Sequence, residues 1–285
     1  MSKIAIVTDS TAAFPSAVLG EVPVVSVPLD VVWGSRTLRD GIDISPAAFY
    51  DEIKTATVMP TTSQPSPSAF LEAYQSLLDQ GYEIISMHIS EGISGTINSA
   101  RQAKAMISDT APITIHDSSV TAMVLKMQIL EVLEAIQNGA TLAQCQQAAE
   151  HARACCGVYF TVNTLDYLER GGRLSRMQAF AGNLLQLRPI LTFKDGKITS
   201  IEKVRTYKGA VKALKERFLA DLKGKQVRNL VGTYTDNQEF VEQIVSELCE
   251  ELGIQRPPKS FVNPLTPVIG THTGPGTIGL AYLTK

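Results

Sequence analysis

The sequence predicts an α/β fold in two parts. Residues 1–153 read as a domain on a parallel sheet, and residues 154–285 as an α+β domain with a mixed or antiparallel sheet. Three observations carry this. In the first half, short continuous apolar runs alternate with helical patterns, as expected for strands buried on both faces of a parallel sheet. In the second half, two strand-like runs flank Asp195-Gly196, a dipeptide that favours a tight antiparallel hairpin. The length, 285 residues, allows two domains that each bury a core.

The elements follow in order. Ile4-Ala5-Ile6-Val7 is a first strand ending at Asp9. Val31-Val32-Trp33 and Thr37-Leu38 around Gly34-Ser35 suggest a small hairpin. Ser45-Pro46 and Ser66-Pro67 each set a capping hydroxyl before proline at the first helical position. Residues 84–89 and 113–116 are further buried strands. Val120, Met123, Val124, Met127 and Leu130 recur at helical spacing and face a core. The pattern changes near Ala154. A strand over 156–162 precedes a helical stretch over 165–170. The hairpin runs are 189–193 and 198–204. A helix over 210–222, a strand over 230–234, a helix from Phe240 to Leu252 and a closing strand over 277–283 complete the chain.

Composition excludes several classes of function. A net charge of −2 without a basic block gives nucleic acid little to bind. No apolar run approaches membrane-spanning length, and the start lacks the apolar stretch of a signal peptide, so membrane insertion is not expected and the cytoplasm is. Cys145, Cys155, Cys156 and Cys249 form no CxxC pair, and His88, His116, His151 and His272 no HxxxH or HExxH spacing. No metal is expected. Gly274-Pro275-Gly276-Thr277-Ile278-Gly279 matches GxGxxG, but only six residues follow it, too few for a dinucleotide βαβ unit. No GxxxxGK[ST] phosphate loop occurs, so no cofactor is expected.

The chemistry concentrates in hydroxyl- and glycine-rich segments. These are Thr61-Thr62-Ser63-Gln64-Pro65-Ser66-Pro67, Ile93-Ser94-Gly95-Thr96 and Gly270-Thr271-His272-Thr273-Gly274-Pro275-Gly276. They offer neutral donors and one histidine without clustered carboxylates or thiols, which suits an anion receptor better than a metal site. Together with Thr8-Asp9-Ser10-Thr11 and Arg170-Gly171-Gly172-Arg173-Leu174-Ser175, in this order, the chain resembles the DegV family of bacterial fatty-acid-binding proteins nearly from end to end.

The resemblance implies a long-chain fatty acid as ligand, buried in a tunnel, with its carboxylate bound by Thr62, Ser94, Arg205 and His272. It implies a partner as well, a fatty acid kinase subunit with a dihydroxyacetone-kinase-like domain, to which the carboxylate is presented for acyl-phosphate formation and phospholipid synthesis. Arg170 and Arg173 would then form a cationic rim facing this partner or nucleotide phosphates. Asp9 and Ser10, at the end of the first strand, stand where α/β sheets place ligands. The chain itself would be a carrier subunit and no enzyme.

The physical demands agree with that reading. Each buried methylene contributes about 0.8 kcal/mol, so an acyl chain of some fourteen gains on the order of 11 kcal/mol before ordering costs. The carboxylate costs several kcal/mol unless donors converge on it. Val158, Phe160, Val162, Phe180, Leu184, Leu185, Leu187, Ile190 and Leu191 are candidate walls. His272, between two threonines in a glycine-rich loop, is placed to meet an anion, whose charge would favour its protonated form.

The alternative is a serine hydrolase, an esterase using Ser94 and His272. Gly92-Ile93-Ser94-Gly95-Thr96 resembles the GxSxG elbow with Thr96 in place of the last glycine. Ser90 to Ile93 separate the strand from Ser94, however, whereas an elbow turns at the strand end. No HGGG-like oxyanion segment follows the early strands.

Overall fold

The structure, a computed structural model, describes residues 3–174, 187–255 and 262–285. Its first half contains β1 (Lys3–Asp9), β2 (Ala17–Leu19), β3 (Val22–Val27), β4 (Asp30–Trp33), β5 (Arg36–Arg39), α1 (Pro46–Ile53), β6 (Thr61–Ser63), α2 (Pro67–Leu78) and β7 (Tyr82–His88). There follow α3 (Thr96–Ile107), β8 (Ile113–Asp117), α4 (Ala122–Gln137) and α5 (Leu142–Cys155). The second half adds β9 (Cys156–Thr161), α6 (Asp166–Arg170), β10 (Arg188–Lys194), β11 (Lys197–Val204), α7 (Tyr207–Leu222) and β12 (Val227–Tyr234). It closes with α8 (Gln238–Leu252), β13 (Val262–Pro264), α9 (Pro267–Thr273) and β14 (Ile278–Thr284).

The expected α/β architecture is present. One sheet runs β2-β3-β1-β7-β8, and its central strands pair in parallel. Ile4 to Val7 and Ile84 to Met87 are buried on both faces because α2 and α3 cover one side and α4 and α5 the other. The second sheet, β11-β10-β9-β14-β12-β13, is antiparallel except where β12 meets β13. The chain passes from one sheet to the other where α5 ends and β9 begins. A third sheet, β5-β4-β6, is a short antiparallel unit containing the expected hairpin at Gly34-Ser35.

Local signals account for the clearest boundaries. Ser45 and Ser66 cap α1 and α2 by accepting from the N–H groups of Ala48 and Ala69, and each precedes a first-turn proline. Asp195 and Gly196 both have positive φ, 50° and 71°, and close the β10–β11 hairpin.

The alternation of side chains in the second sheet positions the site. Ile190, Leu230, Ile278, Leu280 and Tyr282 point one way and pack on α7 and α8. Their neighbours Leu191, Val231 and Ala281 point the other way, as the two-residue period requires. This inner face meets α4, and a space lined from both halves of the chain opens there. Among the described residues no helix is long and apolar enough to cross a membrane.

Candidate functional site

That space is a cavity of about 360 Å³, within the usual range for small-molecule sites. Its walls are mostly aliphatic and aromatic. Val158 and Phe160 come from β9, Phe193 and Ile198 from the hairpin, Val231 and Ala281 from the inner sheet face. Met123 and Val124 come from the start of α4, and Val268 and Ile269 from α9. Of the walls expected from sequence, Val158 and Phe160 line the cavity. Val162 and Leu191 lie in the adjoining core and Ile190 on the opposite sheet face. Leu187 is half-buried outside the lining, and Phe180, Leu184 and Leu185 fall outside the described residues.

Polar side chains gather at one part of this wall. Thr62 lies on β6, Ser94 just before α3, and His272 on α9. The Thr62 hydroxyl and His272 Nε2 are 2.7 Å apart and share a hydrogen bond. The Ser94 hydroxyl is 2.9 Å from that of Thr96 and accepts the Thr96 N–H at 3.3 Å. Arg173 joins them, its Nε donating to the Ile93 carbonyl at 3.2 Å and its guanidinium also to that of Gly171 at 2.6 Å. Gln64 lines the same region and donates from Nε2 to Ser99 at 2.9 Å.

His272 corrects an expectation. The segment Gly270 to Gly276 reads as a loop, yet residues 267–273 are helical. Proline opens the helix, and Gly270 allows it to pack, since a Cβ there would lie 2.4 Å from the Tyr50 hydroxyl. Gly171 plays a similar part, because a Cβ on it would stand 2.1 Å from His272 Nδ1. The first glycine of the Arg170–Arg173 segment is thus a packing surface for the histidine. Burial and then the nearby Arg173 charge push the His272 pKa down to about 3, so in this structure its imidazole is neutral. Its Nδ1 is buried with no hydrogen-bond partner.

Other expected residues lie elsewhere. Arg205 is exposed just after β11, its carbonyl accepting from Arg188 at 3.4 Å, and is not among the residues lining the cavity. Arg170 is exposed at the end of α6. Asp9 is fully buried away from the cavity, where it accepts from the Ile89 N–H at 2.9 Å and meets His88 Nδ1 at 3.2 Å. Ser10 donates to Asp40 at 2.8 Å. The cation brought to the hydroxyl cluster is Arg173, which sequence reasoning set on a rim.

The geometry does not assemble a hydrolase around Ser94, whose hydroxyl pairs with Thr96 while His272 pairs with Thr62. A Ser–His–Asp chain does exist elsewhere, with Ser86 Oγ 2.6 Å from His88 Nε2 and His88 Nδ1 3.2 Å from Asp9. All three residues are wholly buried, and Ser86 also bonds the Tyr74 hydroxyl at 2.7 Å. No substrate reaches it.

The site is therefore a mostly apolar chamber with hydroxyl, imidazole and guanidinium groups at one part of its wall, an arrangement chemically suited to an amphipathic anion. Comparison with known proteins gives the family. Residues 3–285 match the model of the DegV family, described as uncharacterised proteins, and the chain belongs to that family. It is 36% identical over 285 residues to Protein DegV of Bacillus subtilis, with 99% of each chain covered. The crystal structure of DegV, a fatty acid binding protein from Bacillus subtilis, superimposes with a TM-score of 0.88 at 33% identity over 100% of both chains. A fatty-acid-binding DegV family protein from Thermus thermophilus gives 0.85 at 32% identity, covering 99% of this chain and 100% of its own.

Proposed function

We propose that this chain binds a long-chain fatty acid in the cavity, with the carboxylate at Thr62, Ser94, His272 and Arg173. One observation carries the reading: an apolar chamber whose polar groups converge beside a cation. The walls reward burial of methylenes, while Arg173 and the hydroxyls offset the desolvation of the carboxylate. Relatives of the same fold and length that bind fatty acids support it. Arg205, exposed and outside the lining, is left out of this carboxylate site.

The arriving anion changes the state of His272. A negative charge beside the ring opposes the influence of Arg173 and favours a second proton on the imidazole.

In the cell the bound acid is presented to a separate ATP-dependent fatty acid kinase subunit, which forms acyl phosphate. The family resemblance supports this step, and the chain has no phosphate loop of its own. It acts in the cytoplasm as a carrier without turnover. Mass spectrometry of the organic extract of purified protein tests the core of the proposal. Free long-chain acid near one per chain is the expected result, and a bound ester, a nucleotide or no lipid would contradict it. Acyl phosphate trapped with hydroxylamine is expected only when a kinase subunit is added.

A further inference from the structure

Ser10, just after β1, lines no part of the acyl cavity. It belongs instead to a buried ring of hydrogen bonds. Its oxygen accepts the Leu29 N–H at 3.1 Å, and its hydroxyl donates to the Asp40 carboxylate at 2.8 Å. The Asp40 N–H closes the ring on the Leu29 carbonyl at 2.8 Å. Asp40 is 2% exposed and is likewise outside the cavity lining.

The same carboxylate reaches α9. The first N–H groups of a helix have no partner within it. Pro267 has none to offer, the Thr266 side chain does not cap the helix, and the Val268 N–H goes to Asp40 at 3.3 Å. The Thr266 hydroxyl also bonds Asp40 and helps hold its charge. Three donors thus converge on a carboxylate, a group that only accepts. Along the helix itself, Gly270 packs on Phe49 and Tyr50, and His272 on Gly171. Apolar packing of this kind has no preferred direction, and a helix of seven residues has little stability of its own. The bonds to Asp40 supply direction.

What the ring joins is the two sides of the carboxylate site. Leu29 leads directly into β4, whose Val31 pairs with Thr62 on β6. On the other side, His272 follows Val268 by four residues, about one helical turn. Leu29 and Val268 themselves line the cavity. From behind the wall, Asp40 therefore holds both elements whose side chains meet in the 2.7 Å contact between Thr62 and His272. We propose that Asp40, held by Ser10, is a positioning residue for the carboxylate site: it sets α9 against β4 and so keeps His272 on Thr62. The consequence for affinity rests on the fatty acid reading, whereas the effect on His272 does not.

The test is imidazole NMR on protein labelled with 15N-histidine, with palmitate affinity measured on the same samples. Asp40→Ala is expected to shift the His272 ring signals of the ligand-free protein. It should also weaken palmitate binding about tenfold, the scale of one lost hydrogen bond. Asp40→Asn keeps one acceptor for the Val268 N–H and should recover part of both effects. Leu77→Ala, a change in the core under α2, controls for lost stability and should move neither. Wild-type His272 signals in D40A, no recovery in D40N, or equal shifts in L77A overturns the proposal. Should D40A fail to fold, Ser10→Ala removes an anchor of Asp40 and should shift the His272 signals in the same direction by less; unshifted signals there overturn it too. Wild-type protein that binds no palmitate would refute the fatty acid reading instead, with the His272 signals still deciding on Asp40.

Discussion

Two polar clusters in this molecule both contain a serine and a histidine, in very different settings. In one, Asp9, His88, Ser86 and Tyr74 form a closed chain of hydrogen bonds, all wholly buried. In the other, Thr62, Ser94, His272 and Arg173 line a cavity, and His272 Nδ1 is left without a partner. The first cluster satisfies its own groups and ties β1 to β7. The second lines the wall of a mostly apolar chamber and has an arginine where the first has an acid. A serine and a histidine alone do not separate a self-contained relay from a cavity wall. What separates them is access to the cavity and the charge beside the histidine, Asp9 in one and Arg173 in the other.

Substitutions can break or sharpen this contrast. The largest effect is expected from Asp9→Ala, which strands the Ile89 N–H, the Thr11 donors and His88 in the interior. Removing such a buried anchor should cost about 3 kcal/mol or more, read as a lower urea midpoint. A loss under about 1 kcal/mol, the scale of one ordinary hydrogen bond, would erase the distinction between the clusters.

Next comes Arg173→Ala. A charge-assisted bond contributes about 1.5–3 kcal/mol, so fatty acid affinity should fall about 10- to 100-fold while the midpoint moves far less than in D9A. Arg205→Ala in parallel should leave affinity unchanged. The reverse ranking would restore Arg205 to the carboxylate site.

Ser94→Ala removes one neutral donor and should weaken binding about fivefold, on the scale of 1 kcal/mol. A serine hydrolase makes a different prediction, with ester turnover abolished and binding intact.

A subtler effect concerns pH. Burial in the folded chain holds His272 down at about 3, against about 6.5 for an unperturbed histidine. Between these values the unfolded chain binds more protons at this residue. The His272 contribution is therefore fully present above about 6.5 and is lost as pH falls toward 3. His272→Gln should flatten that part of the stability profile. His116, pushed down to about 4 by burial, contributes to the slope in both proteins, so the difference between them isolates His272.

Much of the scaffold was legible because its signals are local. Ser45-Pro46, Ser66-Pro67 and Asp195-Gly196 each need only their own dihedrals and nearest N–H groups. The helix carrying His272 was not, since Gly270, Thr271 and Thr273 argue for a loop. It forms because Phe49 and Tyr50 pack against Gly270 and the buried Asp40 accepts the Val268 N–H, contacts more than 200 residues apart in sequence. Thr62 and Ser94 were legible together as hydroxyls, and both line the cavity, whereas the cation that lines it was expected on a rim. Arg173 and Arg205 both follow structured segments, and which one meets the cavity depends on how α6 and the hairpin pack. Gln64 was visible inside a quoted motif, yet nothing in its neighbours distinguishes a cavity-lining amide from a turn residue.

The central claim is that a fatty acid carboxylate sits against Thr62, Ser94, His272 and Arg173, and carboxyl-labelled fatty acid addresses it directly. With [1-13C]palmitate bound, one carboxyl resonance should titrate below the ordinary carboxylate range, because Arg173 and the hydroxyl donors stabilise its charged form. In Arg173→Met that midpoint should move upward. A bound carboxyl that titrates at or above the ordinary range, or one unmoved by the substitution, would place the head group elsewhere and contradict the account.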